Sequence, residues 1–471
     1  MIYFLKTCYN YMNLLYTLYL YYLNFNKTKK HDLLMINNLK EKINNCGSIS
    51  IKFTQWICPR LDVMYSKNNE KPEWLNIIEK LYENCDIHPE EYTLSLYKEM
   101  FNEDFNEKYK LLNVLGSGSI GQVYLIEDIP ISEYKVKKKY VLKVVHPNIE
   151  YEINFFKYFY KIFSYIPFIN NKIKEYLPFD IYTFIEQFKQ QIDFINEGNN
   201  LLQFKENYKD NEFIIIPDLI RSSKSILIMS YEKGVSFNEL ETNEYQKSKL
   251  ALLLSSFVMN NQTIYNFWHG DIHKGNWRCR IENNKMKLLF YDFGFCWRVP
   301  SNRKHEINLA VDIIENSDNA TIDQNIQLIK HLLIYDNSKD INIDIHIRKY
   351  ILDNNIKPSH NISKIMKIGI DISNKHGYKL DPILIQVIII LIQLEKIYIE
   401  YDILNENRSS YSYYKEIYLD YINLYNTYNI FTEFKNYKID KFNEININCD
   451  NLFDTINMPN EIKKLALEKY K

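Results

Sequence analysis

Four short segments of this 471-residue chain carry side chains suited to handling phosphates, and they occur in a fixed order. The first, Leu115-Gly116-Ser117-Gly118-Ser119-Ile120-Gly121-Gln122-Val123, sets Gly116, Gly118, Gly121 and Val123 in the pattern Gly-x-Gly-x-x-Gly-x-Val. Glycine lets a backbone approach phosphate oxygens closely. A tight turn alone also produces such a pattern. Two ligand-binding readings differ in the element after the glycines: a helix in a dinucleotide fold, or a strand and then a strand lysine in a phosphoryl-transfer hairpin. Val123-Tyr124-Leu125-Ile126 is β-branched and aromatic and continues as a strand. Tyr140-Val141-Leu142-Lys143-Val144-Val145 then supplies Lys143 in a second apolar strand, 22 residues beyond Gly121. A lysine there is placed to grip the α- and β-phosphates of ATP.

The third segment, His269-Gly270-Asp271-Ile272-His273-Lys274-Gly275-Asn276, has the spacing His-x-Asp-x-x-x-x-Asn of a kinase catalytic loop. That chemistry needs a carboxylate beside the attacking group, here Asp271, and an amide oxygen reaching a metal from the same loop, here Asn276. Sixteen residues beyond Asn276 comes the fourth, Asp292-Phe293-Gly294, after the apolar run Lys287-Leu288-Leu289-Phe290-Tyr291. A carboxylate at the end of that strand, Asp292, can hold Mg²⁺ bridging the phosphates. Taken singly, Asp271 could cap a helix, Asn276 could sit in a turn, and Asp-Phe-Gly is a tripeptide. All the pieces in the required order set the combination apart from chance.

The elements that position these groups follow from the flanking patterns. The stretch from Gln191 to Leu201 has apolar residues at 192, 194, 195 and 201, which predicts one helix face. Glu197 on that helix is the choice for an ion pair orienting Lys143, and Asp193, one turn earlier, competes with it. Ile226-Leu227-Ile228-Met229-Ser230-Tyr231-Glu232 reads as an apolar strand ending in polar residues, suited to binding adenine through backbone groups, which assigns Met229 and Tyr231 to the cofactor. Beyond residue 301 the apolar spacing is helical, without strand alternation. Ile383 to Leu394 is too short for a membrane span and reads as a buried core helix with Pro382 in its first turn and Asp381 as its N-cap. Lys135, Lys137, Lys138 and Lys139 read as a solvated hairpin loop.

Composition limits the function classes. The chain is 46% apolar and 25% charged, so it can bury a core. Its 58 Lys and Arg against 59 Asp and Glu give a net charge of −1, which argues against a nucleic-acid partner. The seven cysteines are scattered with no Cys-x-x-Cys pair, which disfavours structural zinc and fits reduced thiols in an intracellular setting. Residues 3–23 are long enough to cross a bilayer and rich in tyrosine, but Lys6, Asn10 and Asn13 interrupt them. A membrane-associated segment and a helix packed on its own domain both remain open.

These residues together resemble the UbiB-type atypical kinases, also called aarF-domain-containing kinases and tied to coenzyme Q biosynthesis. The likeness rests on the Gln191–Leu201 stretch, the His269–Asn276 loop and Lys143-Val144-Val145-His146-Pro147. It rests too on Gly47-Ser48-Ile49-Ser50-Ile51-Lys52-Phe53-Thr54-Gln55-Trp56 with Arg60-Leu61-Asp62, similar to the family's Lys-x-Gly-Gln signature helix. It runs from about residue 40 to about residue 300. The resemblance implies that an N-terminal helical extension folds over the active site, with Lys52 and Gln55 pointing into the nucleotide pocket and obstructing the place of a protein substrate. Three departures stand out. Thr54 replaces the signature glycine, which implies looser or shifted packing. Gly116-Ser117-Gly118 replaces an alanine-rich loop. Gln191-Ile192-Asp193 replaces a Glu-x-Asp signature.

The expectation is an α+β, two-lobed protein-kinase-like fold with a β-rich N-lobe, a helical C-lobe and ATP and Mg²⁺ between them. Residues 1–30 form a hydrophobic segment, 31–104 the family-specific extension, 105–231 the N-lobe and 232–471 the C-lobe with a helical tail. The expected activity is phosphoryl transfer from ATP or its hydrolysis, linked to lipid or quinone metabolism, with a membrane lipid or isoprenoid as a partner. Two alternatives are an active protein kinase acting on Ser or Thr and a non-catalytic, nucleotide-gated lipid-binding scaffold. No Ala-Pro-Glu follows Asp292-Phe293-Gly294, and Arg298-Val299-Pro300 comes within a few residues, which weighs against the first. The retained Lys143, Asp271, Asn276 and Asp292 weigh against the second.

Overall fold

The computed structural model describes residues 2–401 except 66–70, 83–84, 86, 131–135, 167–180, 241–243, 264, 284, 302, 304–320, 335–341 and 357–361. Lys135 of the basic run and the tail beyond residue 401 therefore lie outside the described residues. In chain order the elements are α1 (Ile2–Thr28), α2 (Leu33–Asn45), α3 (Ser48–Tyr65), α4 (Glu73–Glu79), α5 (Glu90–Phe101), α6 (Phe105–Lys108), β1 (Tyr109–Ser117), β2 (Gly121–Asp128), β3 (Lys139–Val145), α7 (Ile149–Ser164), α8 (Ile181–Gln191) and α9 (Phe194–Asn207). Next come β4 (Ile214–Ile215), β5 (Leu219–Ser222), β6 (Ile226–Ser230), α10 (Glu244–Thr263), β7 (Trp268–His269), β8 (Trp277–Glu282), β9 (Lys285–Phe290), β10 (Cys296–Trp297), α11 (Ile322–Leu332), β11 (Leu333–Ile334), α12 (Ile343–Asp353), α13 (Ile362–His376), β12 (Lys379–Leu380) and α14 (Pro382–Glu400). The chain divides into two compact units.

The first unit takes residues up to Asn196, Ile220–Tyr231 and Leu332–Pro382. Its sheet has the order β1-β2-β3-β6-β5. The pairs β1–β2, β2–β3 and β3–β6 are antiparallel. Side chains alternate across a strand, so Tyr124 and Ile126, Leu142 and Val144, and Ile226 and Ile228 share one face. They pack there with Tyr97 of α5 and Phe105 of α6. Lys143 therefore falls on the opposite face, opposite Val123 on one side and Leu227 on the other. A second core joins Ile36, Ile51, Cys58, Leu75 and Ile78 from α2, α3 and α4.

The start of α3 is fixed from a distance. Gly47 has φ +92° and no room for a side chain, because the carboxylate of Glu152 on α7 sits 2.6 Å from where a Cβ would stand. That carboxylate accepts the Ser48 N–H at 2.7 Å and the Tyr3 hydroxyl at 3.0 Å. A negative group at the first turn of a helix complements its dipole. Burial nonetheless pushes the Glu152 carboxyl above its usual range. Helix α1, which holds residues 3–23, has a packed face and an exposed one. Tyr11 is buried against Phe155 and Phe159. Leu5, Tyr9, Met12, Tyr16, Tyr19 and Leu23 are exposed at alternating spacings of four and three, one stripe of the helix.

The second unit takes Glu197–Leu219, Glu232–His331 and the chain from Ile383 onward. Its three-stranded sheet runs β4-β9-β8, with β4–β9 parallel and β8–β9 antiparallel, and β7 pairs antiparallel with β10. Helix α10 is buried through Leu250, Leu253, Leu254, Phe257 and Val258, and Phe257 stacks on Phe290 with ring centroids 3.8 Å apart. Helix α14 adds Tyr398, whose hydroxyl lies 2.6 Å from Ser255 Oγ and donates to the Ala251 carbonyl.

Three expectations need correction. Helix α14 spans 19 residues and is long and apolar enough to cross a membrane, which corrects its expected shortness, while its burial inside the protein agrees with the core-helix reading. Short strands do occur beyond residue 301, where β11 pairs with β12. The stretch from Gln191 to Leu201 is not one helix. Helix α8 ends at Gln191, and α9 begins at Phe194 after a break. Asp193 Oδ1 accepts the Ile195 N–H at 3.0 Å, and the Phe194 N–H donates to the Lys224 carbonyl. An aspartate whose oxygen satisfies an orphan N–H competes with helix continuation.

Candidate active site

In the first unit the glycine-rich turn joins β1 to β2. Gly118 N–H donates to the Gly121 carbonyl at 3.0 Å, closing the turn. A Cβ at Gly116 would meet nothing within 4 Å, and one at Gly118 only the Gly121 carbonyl oxygen at 3.9 Å. Neither glycine has a positive φ. Packing and backbone conformation thus do not explain these two glycines, while Gly121 is required by contact with β3. Lys143 is buried, with its Nζ 5.2 Å from the centre of the Phe194 ring. Met229 is buried on β6 opposite Val141, and Tyr231 N–H donates to the Lys139 carbonyl just past the strand end.

The signature helix meets this turn. Ser119 Oγ–H donates to Gln55 Oε1 at 3.1 Å, which ties α3 to the glycine-rich segment across 64 residues of sequence. Lys52, one turn earlier on α3, is half-buried. Thr54, in place of the signature glycine, is buried and turns its hydroxyl back on the helix to the Ser50 carbonyl.

In the second unit the catalytic-loop residues lie around one backbone crossing. The β7–β10 ladder pairs His269 with Cys296, and Gly270 N–H donates to the Phe295 carbonyl at 2.7 Å. A Cβ on Gly270 would strike the Phe295 ring at 2.6 Å. His269 is fully packed, and its Nε2 lies 2.6 Å from the Asp292 carbonyl while its Nδ1 accepts the Asp271 N–H at 3.3 Å. Those two partners require a neutral imidazole with its proton on Nε2. Burial favours that form by lowering the histidine's proton affinity. One ring thereby links the backbones of Asp271 and Asp292.

Asn276 is held by the same loop. Its Nδ2 donates to the Asp271 carbonyl at 2.8 Å, which turns Oδ1 into the acceptor end. Its own carbonyl accepts the Tyr291 N–H at 3.1 Å, so the end of β9 runs beside it. Asp292 Oδ1 accepts the Gly294 N–H at 2.9 Å. Glu197 is 1% exposed, and its Oε2 lies 3.5 Å from the position of a Cβ on Gly294, where Asp292 Oδ1 lies 3.1 Å away. The two carboxylates mark a strongly negative locale. With burial, they push the Cys296 thiol well above its usual range, and the protonated thiol donates to the Phe293 carbonyl. Glu197, Asp271, Asn276 and Asp292 are thus neighbours within the second unit, while Lys143, Lys52, Gln55, Met229 and Tyr231 belong to the first.

Two side chains without a signal in the motifs complete the loop. Gln393 of α14 donates from Nε2 to Asp271 Oδ1 and accepts the Ile272 N–H on Oε1, both at 3.3 Å. Asn200, one turn beyond Glu197, donates to the Phe293 carbonyl at 2.9 Å. The oxygen donors fit Mg²⁺. No group of three or more His, Cys, Asp or Glu side chains able to hold a metal occurs among the described residues. One carboxylate and one amide oxygen leave room for the waters and phosphate oxygens that Mg²⁺ prefers.

Comparison with known proteins bears on the whole arrangement. The family model of the ABC1 atypical kinase-like domain matches residues 80–326, beginning downstream of the Gly47-to-Asp62 helix. The probable serine/threonine-protein kinase abkC of Dictyostelium discoideum is 29% identical over 271 residues, 53% of this chain and 37% of that protein. The mitochondrial ABC1 family protein C21C3.03 of Schizosaccharomyces pombe is 23% identical over 338 residues, 63% of this chain and 46% of that one. The chain therefore spans less than half the length of these two relatives. Among solved structures, the complex of Rv3197 with erythromycin from Mycobacterium tuberculosis is 14% identical with a TM-score of 0.38, covering 69% of this chain and 84% of that chain.

Proposed function

Because the chain belongs to the ABC1 atypical kinase-like family, we propose that it binds ATP with Mg²⁺ and transfers or hydrolyses the terminal phosphoryl group. The protein-kinase-like α+β fold read from the sequence is the fold of that family. The observation that carries the activity is the His269 ring, which ties the backbones of Asp271 and Asp292 together while Asn276 is bound to the same loop. Positioning of this kind, with electrostatic stabilisation, is most of what phosphoryl transfer asks of a protein.

The roles follow from residue chemistry. Lys143 holds the α- and β-phosphates, and Glu197 orients it. The backbone at Gly116, Gly118 and Gly121 approaches the phosphates beside Val123. Met229 and Tyr231 border adenine, and Lys52 with Gln55 acts on the nucleotide from α3. Asn276 and Asp292 hold Mg²⁺, which when bound neutralises phosphate charge. Asp271 accepts the proton of the attacking hydroxyl or water.

Gln393 fixes the Asp271 carboxylate. Gln393→Leu is expected to lower kcat about tenfold with the Kd for ATP changed less than about twofold, because it misplaces a reacting group and leaves the nucleotide contacts intact. Equal loss of kcat and of affinity would remove that role.

The acceptor is a lipid or isoprenoid in this proposal, and the site of action is an organelle. The exposed stripe of α1 supports the first, since a large exposed apolar patch on a soluble surface marks an interaction site. Names that place relatives in mitochondria or chloroplasts support the second. The test is ATP turnover by the purified chain with and without anionic liposomes. Turnover should rise with liposomes, and Tyr9→Ser with Met12→Ser and Tyr16→Ser should remove both that rise and flotation with the vesicles. Turnover indifferent to lipid, or unchanged flotation of the triple variant, would reject the lipid link. Absence of Mg²⁺-dependent turnover in every condition would reject the enzyme.

A further inference from the structure

Behind the glycine-rich turn runs a chain of buried polar side chains that nucleotide binding does not use. His146, immediately after β3, is 7% exposed, and its Nε2 lies 2.9 Å from the Gly118 carbonyl oxygen. Its Nδ1 lies 3.0 Å from Nδ1 of His88, which is 5% exposed. His88 Nε2 lies 3.0 Å from Thr93 Oγ1, and Thr93 Oγ1 lies 2.9 Å from the Tyr124 hydroxyl. The two backbones are tied to the same hairpin: His88 N–H donates to Gln122 Oε1 and His146 N–H to the Ile120 carbonyl.

The direction of every bond follows from its first member. A carbonyl can only accept, so His146 Nε2 carries the proton. In a neutral ring His146 Nδ1 then accepts, which makes His88 Nδ1 the donor and His88 Nε2 the acceptor of the Thr93 hydroxyl proton. Thr93 in turn accepts from Tyr124. Neutrality suits the surroundings, because burial and the neighbouring His146 hold His88 down to about 4. Besides the His146 bond, the turn is closed by the Gly118 N–H on the Gly121 carbonyl and tied to α3 by Ser119 Oγ on Gln55 Oε1. Gly116 and Gly118 bring no side chains, their Cβ positions meet almost nothing, and glycine samples more backbone conformations than any other residue.

We propose that His146, braced by His88, is a positioning residue that holds the glycine-rich turn in its nucleotide-binding conformation through the Gly118 carbonyl. The proposal rests on the reading of that turn as a phosphate-binding loop. It predicts a defect in holding nucleotide rather than in the chemical step, because the bonds of both residues go to the glycine-rich hairpin and its own support.

The experiment uses the full chain and two readouts. The first is amide hydrogen exchange of residues 116–121 without nucleotide, and the second is the split between KM for ATP and kcat. His146→Leu should speed exchange in the turn about tenfold and raise KM about tenfold, with kcat within about threefold of the parent. His146→Gln places an amide N–H near the position of Nε2 and should keep both within about threefold of the parent. If His146→Leu fails to fold, His88→Leu against His88→Asn decides, since Asn retains a donor in place of Nδ1. His88→Leu should then speed exchange in the turn and His88→Asn should not. Parent-like exchange in His146→Leu, or in His88→Leu where that pair decides, would overturn the proposal, as would equal impairment of His146→Leu and His146→Gln. A parent chain that fails to bind ATP would sink the phosphate-loop reading instead, and the exchange comparison would still decide whether the imidazole holds the turn.

Discussion

Asp292→Asn is expected to abolish the Mg²⁺-dependent thermal stabilisation by ATP and to lower turnover by at least about a thousandfold. The substitution is close to a pure charge change. The Asp292 backbone carbonyl keeps its bond from His269 Nε2–H, and an amide oxygen can still accept the Gly294 N–H that Oδ1 accepts now. What disappears is one of two carboxylates beside Gly294, the one at the end of β9, where a hard cation prefers an anionic oxygen. The neighbouring Glu197 is buried, so it does not take over without losing its own surroundings. Thermal midpoints measured with ATP plus Mg²⁺ and with ATP plus EDTA separate the cases. Parent-like stabilisation of the variant by Mg²⁺-ATP would show that Asp292 does not hold the metal.

Gly121→Ala should be the most damaging of the glycine substitutions, destabilising the first unit by about 3 kcal/mol. A Cβ there would stand 2.4 Å from the Val144 carbonyl oxygen, 3.0 Å from its carbon and 3.3 Å from Val145 Cα. All three are backbone atoms of β3, so no side-chain rotation relieves the contact. Gly121 pairs with Val145 in the ladder that also pairs Val123 with Lys143, and separating the strands there would displace the lysine as well. Gly116→Ala is the internal control. Its Cβ enters open space at a negative φ, so stability should change by less than about 0.5 kcal/mol even where nucleotide binding weakens. Chemical denaturation of both variants measures the contrast. Equal stability of the two would mean that β3 gives way at little cost.

Much of this protein was legible in short stretches of sequence. The β-branched, aromatic and apolar runs at residues 123–126 and 140–145 place two strands, and Lys143 falls on the face away from the core of Tyr124, Ile126, Leu142 and Val144 because successive side chains of a strand point to opposite sides. Asp271 and Asn276 could be read together for a similar reason. Four residues of one loop lie between them, and the bond from Asn276 Nδ2 to the Asp271 carbonyl closes within that loop. Pro382 marked the start of α14 because its ring suits a first helical turn, where no N–H is needed.

Other features had no local signal. The apolar spacing from Ile192 to Leu201 suggested a continuous helix, yet the chain breaks before Phe194 because that N–H finds the Lys224 carbonyl, 30 residues away. Gln393 reaches Asp271 across 122 residues, and His88 reaches His146 across 58. The tyrosines of α1 were equally compatible with lipid and with protein, whereas the apolar run in α14 already read as a core helix. Burial of α14 among residues such as Ser255 and Ala251, and of Tyr11 against α7, came from packing partners distant in the chain. Periodicity and motif spacing encode interactions that close within a strand, a turn or a loop. Which buried polar groups meet is decided when the chain collapses, since each must find a partner wherever the fold brings one.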